Sequence, residues 1–80
     1  MHFQPDDTVR VVRLLVPDRE VTGSSEPAPQ PHIGDTATVV ADIGDGLLLL
    51  ESCTDDGMTR WMAEFAAEEL ELVDRTDVGR

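Results

Sequence analysis

The chain has 80 residues, 40% of them hydrophobic, and a net charge of −11 from 17 acidic and 6 basic residues, every basic one an arginine. That length limits it to one small domain, and its apolar content is too high for a disordered chain. The charge opposes phosphate backbones and anionic membrane surfaces, so nucleic-acid and membrane binding are not expected; a basic protein is the natural electrostatic partner.

The N-terminal run Met1-His2-Phe3-Gln4-Pro5-Asp6-Asp7 has no basic region followed by an apolar stretch. No segment approaches the roughly 18 apolar residues of a membrane-spanning helix. A cytoplasmic, bacterial protein is expected. Lysine is absent while Ala, Val, Asp and Arg abound, which fits a GC-rich genome or a salt-adapted source equally.

The first strand is expected from Thr8 to Val16, rich in β-branched residues with arginines interspersed. Arg10 and Arg13 fall on opposite faces, which calls for a bulge or a change of exposure near Val11-Val12. Pro17 ends the strand because it has no N–H for a ladder. Residues 17–33 form a long connection with Gly23-Ser24-Ser25 and prolines at 27, 29 and 31. It is either a mobile surface loop or a Pro-rich ligand for a groove.

Gly34-Asp35 signals a turn. From Thr36 to Ile43 the pattern alternates, with Ala37, Val39, Ala41 and Ile43 on one face. Asp45-Gly46 is a hairpin turn, and Leu47 to Cys53 is the next strand. Thr54-Asp55-Asp56-Gly57 makes a second hairpin turn. Met58 to Phe65 follows as a strand with Thr59, Trp61, Ala63 and Phe65 on one face, although residues 58–72 also carry helical spacing. Ala66 to Leu70 is expected to form one helical or 3-10 turn, and Glu71-Leu72-Val73 a short last strand. Residues 75–80 are a polar, frayed tail. The fold class expected is mainly β: a five-stranded small barrel with one short helical or 3-10 turn before its last strand.

Gly34-Asp35-Thr36-Ala37-Thr38-Val39-Val40 resembles the Gly-Asp-x-Gly-Thr-Val-Val element of SH3-like small barrels, with Ala37 at the second glycine. That element is found in KOW-type domains, nitrile hydratase β-subunit-like domains and small bacterial domains of unknown function. The resemblance extends through Asp45-Gly46, Asp56-Gly57 and the closing Glu68-Glu69-Leu70-Glu71-Leu72-Val73, about residues 7–74. It implies an SH3-like barrel. It implies no single function, because such barrels serve nucleic-acid binding, peptide binding and structural subunit roles.

Motifs that carry chemistry are missing. The chain has no Gly-x-Ser-x-Gly, no phosphate-binding Gly-x-x-x-x-Gly-Lys and no His-Glu-x-x-His. His2, His32 and Cys53 have no metal-ligand spacing, and Asp42, Asp45 and Glu51 do not fit a calcium loop. Cys53 has no cysteine to pair with, and the neighbouring Asp55 and Asp56 should raise its thiol pKa. No enzyme activity, cofactor or metal is expected.

Leu47-Leu48-Leu49-Leu50 is apolar on both faces of its strand, where a thin barrel needs only one. The second face is either covered by the long loop or a terminal segment, or left as a contact patch. Leu47, Leu49, Met62 and Trp61 would form the patch, with Asp55 and Asp56 on its rim, for a protein partner or a second copy of the chain. Two alternatives remain: a small acidic inhibitor, antitoxin or DNA mimic acting through Asp55, Asp56, Glu68 and Glu69, or an accessory subunit of a larger enzyme.

Overall fold

The computed structural model describes residues 3–25 and 27–75. Five strands, β1 (Thr8–Val11), β2 (Thr36–Gly44), β3 (Leu47–Cys53), β4 (Thr59–Ala66) and β5 (Leu70–Asp74), form one antiparallel sheet in the order β4-β3-β2-β1-β5. A single 3-10 turn, Ala67–Glu69, precedes β5, so the helical alternative for residues 58–72 gives way to a strand and a turn. No helix among the described residues is long and apolar enough to cross a membrane. This succession is compatible with a small SH3-like barrel, although backbone ladders do not join β4 to β5.

Both hairpins form where the sequence places them. Asp45 and Gly46 take φ of 58° and 77°, the left-handed pair that suits the twist of a two-residue hairpin. At the second turn, the Thr54 N–H donates to the Met58 carbonyl (2.8 Å) and the Gly57 N–H to the Thr54 carbonyl (3.0 Å).

Two expectations need correction. The first strand stops at Val11, not Val16. The amides of Val12 and Arg13 both donate to the Glu69 carbonyl, and that of Leu15 donates to the Glu69 side chain, which draws the chain off the ladder. The connection to β2 therefore runs over residues 12–35. In β2, the register with β3 shifts between Val39 and Ala41. The extra residue, Val40, reverses the alternation. Ala37 and Val39 are buried, but Ala41 pairs with Leu49 on the outer face and Ile43 is exposed.

The core lies on the inner face. Phe3, Val9, Val11, Ala37, Val39, Leu48, Leu50, Trp61, Ala63, Phe65 and Leu70 form one buried cluster, with the Trp61 and Phe65 ring centroids 5.5 Å apart. Polar pairs close its two ends. Asp7, buried, accepts from the Arg75 guanidinium (3.0 Å) and from the Gln4 amide (2.8 Å). The arginine holds the Asp7 carboxyl below its ordinary range against the opposing effect of burial. At the other end, the Trp61 indole N–H donates to the Asp35 carboxylate (3.2 Å). Residues 76–80, most of the expected frayed tail, lie outside the described residues.

Candidate functional site, an acidic-rimmed apolar groove

The four-leucine strand is split by its pleat. Leu48 and Leu50 enter the core, while Leu47 and Leu49 are half-buried on the outer face. On that face Leu49 pairs with Glu64, and Met62 with Glu51. The connection 12–35 comes round beside β4 and raises a wall along this floor. Leu15 and Val16, 56% and 46% exposed, stand on the wall. Between wall and floor lies an open groove of about 550 Å³, lined by Leu15, Val16, Leu47, Leu49 and Met62 among its apolar members. Asp18, Glu20 and Glu64 stand along it.

The wall is held by polar contacts. Thr22 and Met62 exchange backbone hydrogen bonds, and the Ser24 amide donates to the Thr59 carbonyl (2.9 Å). Gln30 braces the turn, accepting from the Arg19 amide (3.2 Å) and donating to the Arg19 carbonyl (2.7 Å). The Arg19 side chain runs inward, 3.8 Å above the centre of the Phe65 ring, a cation–π contact that caps the core. It donates to the Glu64 carbonyl (2.7 Å) and to both oxygens of Glu69, the shorter bond 2.5 Å.

Glu69 is 1% exposed. Burial pushes its carboxyl pKa up. The Arg19 hydrogen bonds, with those from the amides of Leu15 and Ala66 (both 2.9 Å), outweigh that effect and hold it below the ordinary value.

This pairing decides the charge of the groove. Arg19 lines it but is neutralised by Glu69. Asp18, Glu20 and Glu64 are exposed and make no ion pair among the described residues. The groove therefore combines an aliphatic floor with unbalanced negative charge.

Of the residues singled out from sequence, Leu47, Leu49 and Met62 meet in the groove. Trp61 does not. It is wholly buried, because β4 alternates and the indole points inward with Ala63 and Phe65. Asp55 and Asp56 are exposed at the β3–β4 turn and do not line the groove. There the Thr54 hydroxyl donates to Asp56 and lowers its carboxyl pKa. Sequence reasoning missed Leu15, Val16, Asp18, Glu20 and Glu64. Their place depends on the path of the connection, for which the only signal was its length.

His2 lies outside the described residues, and among those described no cluster of His, Cys, Asp and Glu could hold a metal ion. The Cys53 thiol pKa is raised, as expected, but by desolvation and by Glu51 rather than by Asp55 and Asp56. That shift disfavours the reactive thiolate.

No protein-family model matches the chain, and neither a curated protein nor a solved structure matches it.

Proposed function

We propose that the protein is a non-catalytic interaction module of the SH3-like type, whose groove takes a segment of a partner protein bearing aliphatic and cationic side chains. The observation that carries this is the imbalance in the groove. Leu47, Leu49, Met62, Leu15 and Val16 leave apolar surface beside Asp18, Glu20 and Glu64, and the only cation among the described lining residues, Arg19, is already paired. Aliphatic side chains of the partner fill the floor. Its Arg or Lys residues meet the rim, where complementary charge governs encounter rate and choice of partner. A second copy of this chain brings the same acidic rim and is the poorer occupant.

The order of strands and turns supports the SH3-like assignment, from the long β1–β2 connection to the 3-10 turn before β5. Within that class, the charge of −11 speaks against the nucleic-acid binding of KOW-type domains and is neutral toward a role as an accessory subunit. An acidic inhibitor of a basic target draws on the same charge, but Glu69 takes no part in it, since it is buried against Arg19. The remaining acids of that set, Asp55, Asp56 and Glu68, are exposed.

The test is titration calorimetry with two synthetic peptides, one alternating Leu and Arg, the other alternating Leu and Glu. The Leu/Arg peptide should bind saturably and weaken when Asp18→Asn, Glu20→Gln and Glu64→Gln are combined. Equal binding of the two peptides, or none, would reject the proposal.

A further inference from the structure

We infer that Glu69 is the positioning residue of the groove, and that the connection it holds, residues 12–35, is a strap that opens as a unit while the sheet stays folded. Among its described residues the strap gives the core cluster no member. Leu14 and Val21 lean on that cluster half-buried, and Arg19 and Pro31 are the strap's own buried residues. Much of its remaining attachment is polar: Val12 and Arg13 to the Glu69 carbonyl, Arg19 to Glu69 and to the Glu64 carbonyl, Thr22 to Met62, Ser24 to Thr59, and, where it rejoins the sheet, Gly34 and Asp35 to Val11 and Asp35 to Trp61. A segment tied down this way opens at lower free energy than strands buried on an apolar face.

Glu69 closes the part of the strap that forms the wall. One carboxylate oxygen accepts from both the Leu15 amide (2.9 Å) and the Arg19 guanidinium (2.5 Å), the two ends of the arc that carries Val16, Pro17 and Asp18 outward. The other accepts from the Ala66 amide (2.9 Å) and anchors the arc to the end of β4. In Glu69→Gln one of these oxygens becomes an NH₂ group that faces donors instead of accepting from them. Arg19 is then left as a buried charge without a counterion, and it regains hydration only by carrying the arc away from the sheet.

The role in binding rests on the groove function proposed above; the opening of the strap does not. Amide hydrogen exchange in the partner-free protein tests the opening. In the native chain the amides of Leu15, Arg19, Thr22 and Ser24 should exchange faster than those of Leu50 and Ala63. In Glu69→Gln the Leu15, Arg19, Thr22 and Ser24 amides should speed up together, by about a hundredfold or to the unfolded-chain rate, the scale set by breaking a buried pair, with Leu50 and Ala63 still protected. Equal protection of strap and sheet in the native chain would overturn the inference. So would a Glu69→Gln chain that unfolds outright, or one whose strap keeps its protection. The Leu/Arg peptide supplies the second arm: Glu69→Gln should weaken its binding although the variant leaves Leu47, Leu49 and Met62 in place. If the peptide binds neither protein, the groove function fails while the exchange result still decides the strap.

Discussion

Thr22 and Met62 exchange two backbone hydrogen bonds, with N–H to carbonyl distances of 3.1 and 2.7 Å, so the long connection bridges the edge of β4 at this one antiparallel pair. An open edge is a template for unwanted pairing, and here the strap covers it. The approach is close enough to require glycine next door. A Cβ at Gly23 would stand 2.6 Å from the Arg60 carbonyl oxygen and 3.1 Å from the Ala28 Cβ.

Gly23→Ala should therefore push the strap off β4. Losing the Thr22–Met62 and Ser24–Thr59 hydrogen bonds, at about 1 kcal/mol each, should lower stability by about 1–3 kcal/mol in urea unfolding. Exchange of the Thr22 and Ser24 amides should rise with it. A fully stable variant would mean that the backbone at Gly23 yields freely.

The two faces of the central strands should respond differently to truncation. Trp61 is wholly buried, and Trp61→Ala should cost about 3–5 kcal/mol. Leu49 is half-buried on the outer face, and Leu49→Ala should cost less than about 1.5 kcal/mol while weakening peptide binding. Urea midpoints and calorimetry on the same two variants separate core from groove.

Stability should fall in acid chiefly through the two buried carboxylates. Asp7 and Glu69 both have native pKa values below their ordinary ones. A group depressed in the folded state binds its proton more readily in the unfolded chain. Its stabilisation is thus complete above the unfolded carboxyl pKa of about 4 and is lost as pH falls through the lower native value. The urea midpoint should hold near neutrality and drop below about pH 4. Asp7→Asn should start lower at neutral pH and show a shallower acid slope.

Salt should stabilise the chain. Self-repulsion from a charge of −11 is screened as the Debye length shrinks from about 30 Å at 0.01 M to about 8 Å at 0.15 M, whereas the Arg19–Glu69 pair is shielded by burial. The melting temperature should rise over that range. The same increase should weaken the Leu/Arg peptide.

Much of the architecture was legible in the sequence because it is local. Asp45-Gly46 and Asp56-Gly57 mark both hairpins, and Thr59, Trp61, Ala63 and Phe65 keep their period of two. The failures are long-range. Nothing near Val12 reveals that its strand ends there; the cause is Glu69, far along the chain, which accepts the amides of Val12, Arg13 and Leu15. The inserted residue Val40 moves Ala41 off the core face, a second register shift follows at Ile43, and alternation alone shows neither. The doubled apolar face at Leu47 and Leu49 was readable as surplus. Its wall and rim were not, because Leu15, Asp18 and Glu20 reach it only by the folding back of the strap. Trp61 stood out as an aromatic contact candidate, yet the phase of β4 places it inside.

The groove itself is best tested by the methyl resonances of the Leu, Ile, Val and Met residues during titration with the Leu/Arg peptide. Leu47 and Leu49 lie on the outer face beside Met62, while Leu48 and Leu50 point into the core from the same strand. Saturable shifts at Leu15, Leu47, Leu49 and Met62, with Leu48 and Leu50 nearly still, are the expected result. Shifts centred on the exposed Ile43, Leu72 and Val73, or no saturable shift at all, would contradict it.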